Sequence, residues 1–174
     1  MITIVVGTNR KNSLSKVIAQ YYQNILAQHQ AESQILDLSG LPPDFMATAL
    51  YEHNGKNARF NEYRYQMEAA QKFVFIVPEY NGSFPGVLKA FIDGMQYPDG
   101  LSGKKAALVG LSSGTQGGAL ALSHLNDIFS YLGIHVLALR VRLAQIKAYM
   151  KDNQIDNLLY NELLDIQARQ MIEF

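Results

Sequence analysis

The sequence predicts an α/β fold: one doubly wound, five-stranded parallel sheet with helices on both faces. Three observations carry this. Residues 72–77 (KFVFIV) place Phe73, Val74, Phe75, Ile76 and Val77 in an unbroken apolar run, as a parallel strand covered on both sides requires. Short strand-like runs alternate five times with segments whose apolar residues recur at three and four positions, the pattern of βαβ units. The first, third and fourth runs each end in a loop rich in Gly, Ser, Thr or Asn, and ligands of open α/β sheets sit beyond the carboxyl ends of the strands.

In chain order, Ile2–Val6 (ITIVV) is too short and too β-branched for a helix. GTNRKNSLSK follows, and then Leu14, Val17, Ile18, Tyr21, Tyr22 and Ile25 mark one face of a helix capped by Ser13. Residues 34–38 form a short second strand. Residues 39–56, with Pro42, Pro43 and Gly55, read as a loop long enough to suggest a lid or a binding loop. Over 57–70 the spacing of Phe60, Tyr63 and Met67 predicts a helix. The strand at 72–77 runs into PEYNGSFPG and a helix marked by Val87, Leu88, Phe91, Ile92 and Met95, with Pro85 near its start, where a missing N–H costs nothing. Residues 105–110 (KAALVG) are the fourth strand, followed by LSSGTQGGA and a helix over 119–132 that Gly133 stops. The fifth strand is expected at 135–139. The closing helix is expected over 153–172, with Ile155, Leu158, Leu159, Leu163 and Ile166 inward. No repeat period or linker divides the chain, so residues 1–174 are expected to form one domain.

Of the 174 residues, 48% are hydrophobic and 17% charged, which fits a globular chain rather than a disordered one. Fifteen basic residues balance fifteen acidic ones, so no global field recruits nucleic acid or an anionic membrane. The absence of cysteine excludes disulfides, thiolate metal sites and cysteine nucleophiles. The apolar start is shorter than the roughly 7–15 residues of a signal peptide core, and no run approaches the roughly 18 apolar residues of a membrane span. A cytoplasmic protein without nucleic-acid or membrane partners is expected. The histidines at 29, 53, 124 and 135 lack metal-ligand spacing, and no G-x-S-x-G marks a hydrolase.

In a sheet of order 2-1-3-4-5 the three polar loops are neighbours, around the crevice where flavodoxin-like proteins hold FMN. The first loop suits a phosphate: Thr8, Ser13 and Ser15 offer hydroxyls, the helix start offers free N–H groups, and Arg10 offers a charged fork. It is not a Walker loop, lacking Gly-Lys-Ser/Thr. It is not a dinucleotide fingerprint either, because Asn9 and Asn12 stand where glycines are required. That also argues against Asp37, at the end of strand two, as a ribose-binding acid. The second loop concentrates Glu79, Tyr80, Asn81 and Ser83.

PEYNGSFPGVLKAFID resembles the PEYN-x-S-x-PG-x-LK-x-x-ID segment of the NADPH-dependent FMN reductase family. GTNRKNSLSK resembles the G-S-x-R-x-x-S-x-N loop that grips the FMN phosphate in that family: Gly7, Arg10 and Ser13 match, Thr8 replaces Ser, and Ser15 stands in place of Asn. Residues 112–118 are similar to the family's Ser/Gly turn before G-G-A, with Leu120 replacing a frequent Arg. The resemblance implies a flavodoxin-like FMN-binding domain acting as an NAD(P)H oxidoreductase. NADPH or NADH would be the donor, and a quinone, azo dye, metal oxyanion or free flavin the small-molecule acceptor.

Pro78, Glu79, Tyr80, Asn81 and Gly82 are expected along the flavin ring. Ser112, Ser113 and Gly114 are expected at its pyrimidine end, where small residues permit close approach. No side chain is assigned as catalytic acid or base, since the chemistry resides in the flavin. The resemblance also implies a homodimer or homotetramer, with Phe45, Met46 and Tyr51 able to cover a neighbour or the flavin. Two rival readings are an electron carrier, a class usually strongly acidic where this chain is neutral, and a non-redox binding domain of the same fold.

Overall fold

The computed structural model describes residues 1–98 and 100–174. Strands β1 (Ile2–Val6), β2 (Ser33–Asp37), β3 (Lys72–Pro78) and β4 (Lys105–Leu111) pair in the order β2-β1-β3-β4, all parallel. The fifth position is shared by β5 (His135–Val136) and β6 (Val141–Leu143), both parallel to β4. The order 2-1-3-4-5 and the flavodoxin-like doubly wound architecture are as expected.

Alternation along β3 explains its continuous apolar run. Phe73, Phe75 and Val77 enter a core shared with α3 (Ala58–Ala69), α4 (Gly86–Asp93) and α5 (Ala119–Tyr131). Val74 and Ile76 enter the opposite core, shared with α1 (Leu14–Gln28) and α6 (Leu158–Glu173). Every position therefore faces a covered layer. Phe75 meets Phe129 of α5 with ring centroids 4.8 Å apart.

Three expectations need correction. The strand expected at 135–139 breaks after Val136, although Leu137 N still donates to Ala106 O at 2.8 Å. Gln167 of α6 causes the break: its Nε2 donates to Leu108 O at 3.0 Å and to Leu139 O at 2.8 Å. A buried side chain thus satisfies the β4 carbonyl that the next strand residue would have reached. The closing helix starts at Leu158, capped by Asn157, whose Oδ1 accepts from Tyr160 N at 3.0 Å. The residues before it form a hairpin, β7 (Met150–Lys151) and β8 (Gln154–Ile155), turned by Asp152 and Asn153, both at positive φ. The inward stripe of α6 is Leu164, Gln167, Ala168 and Met171, while Leu158 and Leu159 face solvent and Leu163 and Ile166 are half-buried.

The third correction concerns residues 39–56. They contain a short helix, α2 (Phe45–Thr48), between single helical turns at Leu38–Gly40 and Tyr51–His53. Phe45 and Leu50 are buried, and Phe45 stacks on Phe60 at 5.5 Å and 7°. The segment is pinned to the core beside α3, and none of its residues lines the crevice described below. Among the described residues, no helix is long and apolar enough to cross a membrane, and no group of three His, Cys, Asp or Glu could hold a metal.

Asp37 has a structural role at the end of β2. Its Oδ1 accepts from Ser39 N at 2.9 Å, and its Oδ2 pairs with Lys16 Nζ at 3.0 Å. Burial pushes its pKa up, but the Ser39 and Lys16 contacts outweigh burial and hold it below the ordinary 3.8. A carboxyl depressed in the folded state stabilises at neutral pH, and the contribution is lost as pH falls below about 4. The melting temperature should fall there, and Asp37→Asn should flatten that fall. An unaltered acid limb in the variant contradicts the assignment.

Candidate functional site

The end of β1 comes close to β3. Gly7 N donates to Ile76 O at 2.9 Å, and a Cβ on Gly7 would lie 3.0 Å from that oxygen and 3.2 Å from Leu88 Cδ2. Thr8 is fully buried; its Oγ1 accepts from Arg10 N at 3.2 Å and shares a 2.8 Å hydrogen bond with the Tyr80 hydroxyl. Asn12, at φ 53°, turns the chain into α1. Ser13 caps that helix, its Oγ accepting from Lys16 N at 3.3 Å. Ser15, in the first turn of α1, is 1% exposed. The first-turn N–H groups have no helical acceptors and carry the positive end of the helix dipole.

The second loop stays on the ladder through Glu79, whose N–H donates to Leu111 O at 2.9 Å. It then folds into a two-residue hairpin. Tyr80 N donates to Ser83 O at 2.8 Å, Ser83 N donates to Tyr80 O at 3.1 Å, and Asn81 and Gly82 between them sit at φ 52° and 76°. Both central residues are left-handed, which is why an Asn-Gly pair stands here. Ser83 Oγ is 2.9 Å from His124 Nδ1, tying the hairpin to α5. In the third loop Ser112 Oγ donates to Gly114 O at 2.9 Å and accepts from Gly117 N at 3.0 Å. Gly117 packs so tightly that a Cβ would lie 2.9 Å from Arg142 Cβ.

These loops meet. Arg10, Ser13 and Ser15 from the first, Pro78, Glu79 and Tyr80 from the second, and Ser112 and Ser113 from the third bound one cavity of about 130 Å³. Thr8 lies behind its wall, Asn81 and Gly82 sit at the hairpin tip, and Gly114 stays outside the lining. Lys147 and Ile146 also line the cavity, from a helical turn (Ile146–Tyr149) that follows β6. Sequence reasoning missed both, because no local pattern shows that this turn returns to the first loop.

A larger groove of about 640 Å³ runs between α4 and α5, lined among others by Tyr51, Met95, Tyr97 and Tyr131. Its walls come mainly from the later turns of both helices, away from the strand ends that carry the polar loops. Size alone does not make it the site of chemistry.

The sequence matches the family model of NADPH-dependent FMN reductases over residues 1–146. The chain belongs to this family. It is an FMN-dependent NAD(P)H oxidoreductase of flavodoxin-like fold. It is 33% identical over 160 residues to a 2-hydroxy-1,4-benzoquinone reductase of a Burkholderia species, covering 88% of this chain and 79% of that protein. It is 33% identical over 146 residues to an NAD(P)H-dependent FMN reductase of Pseudomonas aeruginosa, covering 80% of this chain and 72% of that one. Among solved structures, the flavoenzyme NAD(P)H:(acceptor) oxidoreductase of Paracoccus denitrificans superposes with a TM-score of 0.78 at 26% identity, over 99% of this chain and 94% of that one.

Proposed function

We propose that this reductase holds FMN in the three-loop crevice, phosphate toward the start of α1, and uses NADPH or NADH to reduce a small quinone. The observation that carries the placement is the meeting of three loops on one cavity, where Arg10, Ser13 and Ser15 at the start of α1 face Tyr80 and Ser112. A guanidinium and hydroxyls gathered beside a helix start suit a ligand phosphate. Similarity to the benzoquinone reductase supports the choice of acceptor.

FMN, when bound, supplies the hydride-accepting ring. The chain supplies position and charge. Arg10 offers a charge-assisted fork, Ser13 and Ser15 offer hydroxyls, and the first turn of α1 offers N–H groups. The Thr8–Tyr80 hydrogen bond holds the first and second loops together, so the phosphate and ring ends of the site keep a fixed relation. Pro78 and Tyr80 present apolar wall, and Ser112 and Ser113 leave room at the far edge. The proposal treats residues 1–174 as one FMN-binding domain. It places the protein in the cytoplasm, where a chain without cysteine is at home.

Titration with FMN and FAD, followed by NADPH consumption with 1,4-benzoquinone, tests this. FMN should bind more tightly than FAD, because cationic and hydroxyl groups close around the phosphate end and leave little room for an adenylate. NADPH consumption should depend on added FMN. Equal or tighter binding of FAD, or quinone reduction indifferent to FMN, contradicts the placement.

Assembly is part of the same proposal: a homodimer, or a homotetramer built from it. Phe45 is buried and cannot contribute. Around the α4–α5 groove, however, Tyr51, Tyr97 and Tyr131 are 76%, 69% and 78% exposed, a concentration of aromatic surface suited to a second copy. Light scattering should return a multiple of 19.4 kDa at micromolar concentration, and Tyr131→Asp should lower it. A single-chain mass for the unaltered protein contradicts the assembly.

A further inference from the structure

We propose that Lys147 is the second cation of the phosphate subsite and sets this chain's preference for a phosphorylated flavin over an unphosphorylated one. The inference rests on the FMN placement above and adds a residue from outside the family match, which ends at residue 146.

Lys147 is carried by a turn whose backbone is held on several sides. Gln145 N donates to Gly114 O at 2.9 Å and Ile146 N to Ser112 O at 3.2 Å, so the turn is bonded to the third loop. Ile146 is buried in the core under α1 and α6, and Tyr160 of α6 donates its hydroxyl to Ala144 O at 2.9 Å. The position is therefore fixed while the side chain is free to reach. Lys147 lines the cavity that Arg10, Ser13 and Ser15 line, and among the described residues it makes no ion pair.

Charge balance favours the assignment. A phosphate monoester carries about −1.5 to −2 at neutral pH. The cavity lining holds the cations Arg10 and Lys147 and one carboxylate, Glu79. Arg10 alone, set against Glu79, leaves no net positive side-chain charge for a dianion; Lys147 restores it, and the start of α1 adds to it. Ser13 and Ser15 line the same corner and offer hydroxyls to a ligand oxygen. Lysine acts here as a mobile point charge beside the directional arginine fork.

The test is flavin titration by fluorescence quenching on the full chain, with FMN and riboflavin, at low and high salt. The proteins are the unaltered chain, Lys147→Gln, Lys147→Arg and Arg10→Ala. Lys147→Gln should weaken FMN about 2- to 5-fold, the upper part of the range for an exposed charge pair. Riboflavin binding should change less than about twofold, Lys147→Arg should restore FMN affinity, and the salt dependence of FMN binding should shrink in Lys147→Gln. Apo melting temperatures matching the unaltered chain exclude a folding effect. Unchanged FMN affinity in Lys147→Gln, or an equal loss for riboflavin, overturns the assignment. If Arg10→Ala weakens FMN while Lys147→Gln does not, the FMN placement stands and Lys147 alone is wrong. If the unaltered chain binds no FMN, the placement itself falls.

Discussion

Arg10→Ala is expected to weaken FMN binding roughly tenfold to 150-fold and to leave riboflavin binding nearly unchanged. The range follows from hydrogen bonds to charged groups, about 1.5–3 kcal/mol, at about 1.4 kcal/mol per decade of affinity. Arg10 is exposed and makes no ion pair among the described residues, so its side chain has no structural duty to lose. Its backbone is fixed instead, the N–H donating to buried Thr8 Oγ1. Stability without cofactor should therefore change by less than about 0.5 kcal/mol. Riboflavin separates the roles: it lacks the phosphate, so a guanidinium aimed at the phosphate cannot affect it. An unchanged FMN affinity, or an equal loss for riboflavin, removes Arg10 from the phosphate end.

Lys104→Met should destabilise the apo protein by about 3 kcal/mol without touching the site. Lys104 is 5% exposed, and its ammonium donates to Met67 O at 2.8 Å, to Ala70 O at 2.7 Å and to Glu68 O. It also lies 5.8 Å from the centroid of Phe73. Helix α3 ends without a left-handed glycine; its C-cap Ala70 is extended. The last carbonyls, which no residue of the helix can satisfy, are thus capped from β4's approach by a buried cation. Burial pushes the lysine's pKa down and Glu68 pushes it up, so burial here has a cost that the three acceptors offset. Each buried carbonyl left open costs about 1–3 kcal/mol; methionine keeps the apolar stem but leaves all three open. Urea unfolding of the apo protein measures the loss, and a change below about 1 kcal/mol contradicts this account. FMN affinity at a temperature where both proteins are folded should be the same.

What the sequence shows is governed by range. The β3–loop–α4 unit is legible because its signals are local: an apolar run covered on both faces, a turn built on Asn81 and Gly82, and a helix opened by Pro85. The start of α1 is legible for the same reason, through the Ser13 cap. Features set by distant side chains are not. Gln167 reads as a polar residue on a helix surface, yet it is buried and splits the fifth strand. Phe45 and Leu50 read as loop residues, yet they fill core beside Phe60. Lys147 enters the cavity only because β6 ends next to β4 and its turn bonds to Ser112 and Gly114. Lys104 looks like any lysine before a strand, and only the end of α3 shows why it is buried.

The most direct measurement is anaerobic mixing of the FMN-loaded protein with NADPH, followed at the visible flavin absorption band. The account predicts that the band bleaches in a rapid phase, that free FMN under the same conditions stays oxidised over that time, and that a pulse of 1,4-benzoquinone restores the colour. Protein that takes up FMN but keeps its band unbleached by either NADPH or NADH would contradict the assignment as a nicotinamide-dependent flavin reductase.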